Sequence, residues 1–119
     1  VCSSDLNVNT TSVTTTRANV AVTTNTVIDQ FTPSTFRSAK YYVSAQNDNG
    51  YESAEVLLIQ DGTNSYITIY GTVSSNAATD IIDLSSNING VSGNVSLYAS
   101  STGGAGNCKV NIMTIYIKI

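Results

Sequence analysis

The chain has 119 residues, of which only 11% are charged, against roughly 25% in ordinary soluble domains, while 41% are hydrophobic, enough for one modest core. Five basic residues against eight acidic ones give a net charge of −3, which argues against nucleic acid as a partner, because phosphates need a basic face. No run approaches the length that spans a membrane, and the absence of His removes the commonest general base and metal ligand.

In chain order, the first six residues, Val1-Cys2-Ser3-Ser4-Asp5-Leu6, lack the basic flank and apolar stretch of a signal peptide. They resemble the translated end of a common sequencing-library adapter, as in sequence assembled from bulk DNA, an origin that implies a true N-terminus further upstream; a natural polar tail is the alternative. Residues 7 to about 25 are nearly all Asn, Thr, Ser and Val, a linker or an edge strand leading into a domain over 26–119. From Thr26 onward, short apolar alternations are separated by turn residues, and nothing recurs at helical spacing.

Strands are predicted over 18–22, 26–31, 39–47, 51–60, 65–73, 79–86, 94–99 and 108–118. Turn chemistry bounds them at Pro33-Ser34, Asn49-Gly50, Asp61-Gly62, Ser74-Asn76, Asn89-Gly90 and Gly103-Gly104. Short strands with no helix between them imply an all-β fold, an antiparallel jelly-roll-like sandwich of about eight strands. Cys108 reads as a small buried residue on the last strand; Cys2 and Cys108 alone make no disulfide framework.

The central hairpins can be registered by pattern. With Asn49-Gly50 as a type I′ turn, Tyr41 faces Leu58, Val43 faces Val56 and Ala45 faces Ala54. A four-residue loop Asp61–Asn64 pairs Leu58 with Ile67 and Val56 with Ile69, so one face of three strands is uniformly apolar and forms the core. Gly62 in this loop requires positive φ. The opposite face carries Tyr42, Leu57, Ile59, Tyr66 and Tyr70, more apolar than a solvent face should be. Three readings are open: the 79–86 strand or the N-terminal arm covers it, another subunit does, or it is a platform for sugar stacking.

The segment Val27–Tyr70 resembles a domain of virion structural proteins in large contractile-tailed phages of marine cyanobacteria and related bacteria. The resemblance rests on Ile28-Asp29-Gln30-Phe31, on Phe36-Arg37-Ser38-Ala39-Lys40-Tyr41, on Glu55 through Thr63, and on Ile67-Thr68-Ile69-Tyr70-Gly71. The family shows an Arg-Ser-Ala-Lys-Tyr block, a strand ending in His-Asp-Gly-Thr, then Thr-Glu-Tyr-Gly; here Gln60 replaces the His and Ile69 the Glu. Beyond this segment only a shared pattern continues, ending at Gly93-Asn94-Val95-Ser96-Leu97. What the resemblance implies is a non-enzymatic fibre, neck or tail-associated module, located in the virion after synthesis in the host cytoplasm. Its implied partners are other copies of itself (a trimer in a fibre) or other virion proteins, with Arg37, Lys40, Asp61 and Gly62 in structural roles. The alternative is a carbohydrate-binding or adhesin domain contacting host glycans.

Chemistry offers little against that reading. Glu52 and Glu55, or Asp80 and Asp83, stand three apart on strands and point to opposite faces, where glycosidic hydrolysis needs two carboxylates across one cleft. Cys108 has no imidazole partner. Asp48 beside Asn47 and Asn49, or Asp61 with Asn64, offers oxygens to calcium, but turn roles explain both. No cofactor is expected. Arg37 and Lys40 are expected to pair with Glu55 or Asp61.

Overall fold

The computed structural model describes residues 6–8, 11–20, 25–76, 80–102 and 108–119. Among them are nine strands and no helix: β1 Leu6–Val8, β2 Thr11–Val20, β3 Thr26–Phe31, β4 Phe36–Asn47, β5 Gly50–Gln60, β6 Ser65–Ser74, β7 Ile82–Ile88, β8 Val95–Ser101 and β9 Cys108–Lys118. Two antiparallel sheets form, one in the order β1-β2-β9-β4-β5-β6 and one in the order β3-β8-β7. This is an all-β sandwich. The sequence expectation of eight strands in a jelly-roll winding gives way to nine, with β4, β5 and β6 as consecutive hairpins in one sheet. β2 pairs with β9 along its whole length, so the sheet continues across the boundary that composition draws at residue 25. Cys2, the Gly103-Gly104 turn and residues 1–5 of the suspected adapter segment lie outside the described residues.

Period-two alternation creates the core. β5 buries Glu52, Ala54, Val56, Leu58 and Gln60 and leaves the residues between them exposed or half-buried. Tyr41, Val43, Val56, Leu58, Val110 and Ile112 of the large sheet meet Ile28, Val95, Leu97 and Ala99 of the small one. At one end Phe36 stacks on Tyr116 with ring centroids 4.8 Å apart, and Phe31 meets Tyr116 edge-on at 5.6 Å.

The β5–β6 register is as the pattern predicts, with Leu58 opposite Ile67 and Val56 opposite Ile69. Gly62 has φ +92°, and Asp61 Oδ1 accepts the amides of Thr63 (2.9 Å) and Asn64 (2.7 Å). These amides hold the Asp61 carboxyl below its ordinary range. The β4–β5 register needs correction. Tyr41 faces Val56, Val43 faces Ala54 and Asn47 faces Gly50, so the loop is Asp48-Asn49. Asn47 Oδ1 accepts the Asn49 amide at 2.8 Å, which closes the turn one residue early. Gly50 enters the strand at φ +145°, where a Cβ would stand 2.5 Å from Ser75 Oγ. The shift is two residues in pairing, so every side chain keeps its face. Ile69 is also corrected: it is 43% exposed, because β6 is the last strand of its sheet. Cys108 is buried as a free thiol.

A polar knot sits in this core. A bulge between Val27 and Asp29 brings Asp29 opposite Leu97, on the core side of β3. Asp29 Oδ2 there accepts the hydroxyls of Tyr41 (2.8 Å) and Tyr116 (2.5 Å). Burial pushes the Asp29 carboxyl above its ordinary value and outweighs the two hydroxyls and the Gln30 amide, which pull it down. A carboxyl with a raised folded pKa carries its cost above that pKa and sheds it as pH falls toward the unfolded value. The difference in melting temperature, native protein minus Asp29→Asn, is therefore expected to move in favour of the native protein between pH 7 and pH 4. A difference that stays constant, or moves the other way, contradicts this account.

Candidate functional site

The side chains that β9, β4, β5 and β6 turn away from the core make one continuous face. In register across it lie Ile117, Ser38, Ile59 and Tyr66; then Ile115, Lys40, Leu57 and Thr68; then Met113, Tyr42, Glu55 and Tyr70. Leu57 is 45% exposed, Ile59 50% and Tyr66 53%; Tyr42 is exposed and Tyr70 half-buried. All five residues picked out by alternation therefore share this face. Leu57, Ile59, Tyr66, Ile115 and Ile117, with the stem of Lys40, border a shallow apolar depression of about 590 Å3.

Of the two segments expected to cover this face, β7 lies in the small sheet and β2 extends the large sheet beside β9. Neither described strand lies over it. Met113, Ile115 and Ile117 are the part that sequence reasoning missed. The alternation of β9 is visible in the sequence, but its place beside β4 joins residues about 75 positions apart, and no turn fixes that pairing.

The basic residues of the family-like block divide as follows. Lys40 Nζ is 3.6 Å from Glu55 Oε1 and 5.1 Å from the Tyr42 ring centroid. The Tyr42 and Tyr70 hydroxyls, and behind them Glu55, hold its ammonium above the usual lysine range. Arg37 Nη1 donates instead to the Gln60 carbonyl at 2.9 Å, and Asp61 is engaged in its own turn and by the Tyr66 hydroxyl at 3.1 Å. Lys40 thus takes the expected partner and Arg37 does not.

Glu52 and Glu55 do point to opposite faces, but Glu52 is buried, and its Oε1 accepts the Ile81 amide at 3.1 Å. Glu52, Asp80 and Asp83 border one small depression of about 150 Å3 between the sheets.

No protein-family model and no curated protein matches the chain. The solved structures that match it in fold include two phage tailspikes. One is the tailspike protein gp49 of Acinetobacter baumannii bacteriophage Fri1, a capsular polysaccharide depolymerase, with TM-score 0.57 and 9% identity over 92% of this chain and 18% of that one. The other is the tailspike protein of Acinetobacter phage vB_ApiP_P1, with TM-score 0.54 and 16% identity over 92% of this chain and 22% of that one. The likeness is one of fold, to part of a phage tailspike. The chain spans about a fifth of the length of these proteins. Neither match singles out phages of cyanobacteria.

This finding overturns the expectation of a non-enzymatic module, because one protein that contains this fold is an enzyme acting on polysaccharide. Spacing along a strand excludes a carboxylate pair only within that strand, and does not bear on carboxylates carried by different strands.

Proposed function

We propose that the chain is a β-sandwich module of a phage tail-associated protein of tailspike type, a virion component that meets polysaccharide on the host surface. The observation that carries this reading is the outer face: four strands wide, apolar at one end, rich in Tyr, and covered by no described strand. Likeness in fold to tailspikes, one of them a capsular polysaccharide depolymerase, supports it. Within phages, the Arg37–Tyr41 and Asp61–Thr63 blocks favour the contractile-tailed phages of cyanobacteria.

The apolar end of the face is assigned to a second copy of the chain. Four strands at about 4.8 Å and five residues at about 3.3 Å give about 300 Å2 of flat sheet, the size of the apolar patches that mark association surfaces. Leu57, Ile59, Ile115 and Ile117 are aliphatic, which suits a protein partner better than a sugar ring. A trimer follows if the module belongs to a fibre. In light scattering on the whole chain, the native protein is expected to be an oligomer, and the pair Ile59→Ser and Tyr66→Ser a folded monomer. A native protein that stays monomeric at high concentration overturns the self-contact and leaves the Tyr-bearing face to glycan.

A further inference from the structure

The same outer face ends, away from the apolar depression, in a polar one of about 250 Å3. Arg17, Ser44, Gln46, Tyr51, Lys109 and Asn111 border it. Arg17 lies opposite Asn111 on β9, and Lys109 is two residues further along the same face of that strand. The two cations are therefore diagonal neighbours, about 7–8 Å apart at the backbone. Arg17 Nε donates to Asn111 Oδ1 at 2.9 Å, which fixes the guanidinium and leaves its two terminal nitrogens to carry the remaining donors. Tyr51 stands across from Gln46 on β5 and is 61% exposed, so its ring is open to the depression.

The charge distribution makes this arrangement specific. The chain is acidic overall and has five basic residues, yet Arg17, Lys40 and Lys109 all stand on this one face. Lys40 is held by Glu55, the carboxylate that shares the face; Asp48 is in the adjoining β4–β5 turn. The pair at the polar end thus offers two positive charges beside amide and hydroxyl groups and an aromatic ring. A guanidinium held in place recognises a planar carboxylate or a sulfate by paired hydrogen bonds. The amides and the Ser44 hydroxyl match sugar hydroxyls, and the Tyr51 ring matches the apolar face of a pyranose.

We propose that this depression binds an acidic sugar residue of a host-surface polysaccharide. The carboxylate or sulfate lies between Arg17 and Lys109, and the ring lies against Tyr51. The proposal rests on the polysaccharide-contact reading above and adds to it the class of sugar and the residues that select it.

The test uses the whole chain with three immobilised polymers: polygalacturonate, dextran sulfate and neutral dextran. The native protein is expected to bind at least one acidic polymer and not neutral dextran, with affinity falling about ten-fold or more between about 50 and about 500 mM salt. The pair Arg17→Gln and Lys109→Gln is expected to lose about ten-fold or more at an unchanged melting temperature, and Tyr51→Ser to lose binding at every salt concentration. The stronger of the two acidic polymers identifies carboxylate or sulfate as the ligand group. Equal binding of neutral dextran, or full binding by the double variant, overturns the acidic-sugar site and leaves the polysaccharide reading standing. Binding to none of the three, and to no host capsular polysaccharide, overturns both.

Discussion

Replacing Gln60 by Leu is expected to cost about 3–5 kcal/mol, because it strands three backbone groups at once. Gln60 is 1% exposed at the end of β5. Its Nε2 donates to the carbonyls of Pro33 and Phe36, both at 2.8 Å, and its Oε1 accepts the Gly62 amide at 2.6 Å. One side chain therefore ties the β3–β4 connection to the β5–β6 turn, and Arg37 adds a bond to the Gln60 carbonyl itself. Leu preserves the volume and none of the bonds, so the three groups go unpaired in the fold at about 1–3 kcal/mol each, less what water recovers. Urea unfolding of the native and variant chains measures the difference. Gln60→Glu adds a second arm: it aims a carboxylate at two carbonyl oxygens, and its deficit is expected to shrink as the pH falls and the group takes up a proton to donate. A Leu variant within about 1 kcal/mol of the native protein contradicts the clamp. The family that the segment resembles has His at this position. An imidazole offers one donor and one acceptor when neutral, so the three-way clamp belongs to the amide.

The second large effect is expected at Leu58. Its side chain is 2% exposed on a strand of the large sheet that is paired on both sides, opposite Ala39 on β4 and Ile67 on β6. Leu58→Ala removes transfer energy and leaves a cavity that a sheet fixed on both sides cannot close, a loss of about 2–5 kcal/mol. In the monomeric Ile59→Ser, Tyr66→Ser background, Leu57→Ala, one residue away on the exposed face, is expected to change stability by about 0.5 kcal/mol or less. Thermal or urea unfolding of the two variants side by side decides the matter. The opposite order of sensitivity contradicts the assignment of the faces.

Much of this was legible before any coordinates. Alternation over Tyr41–Ala45, Ala54–Leu58 and Tyr66–Tyr70 determined which face each side chain takes, because a strand has a strict period of two. That is why the β4–β5 turn could close one residue early and leave the faces unchanged: a pairing shift of two preserves parity. Gly62 was legible for a related reason, since a short Asp-Gly loop requires positive φ at one residue.

What the sequence alone did not determine is everything that depends on distant strands meeting. The seating of β9 between β2 and β4 joins segments separated by most of the chain, and it supplies Met113, Ile115 and Ile117 to the outer face and Arg17 and Lys109 to its polar end. Sheet order also decides that Ile69, apolar and on the core side, is left 43% exposed on a terminal strand, and that Glu52 shares a depression with Asp80 and Asp83. Side-chain period is a local property carried by each strand. Order and long-range register are set by the summed burial of two whole sheets, and only the tertiary structure expresses that sum.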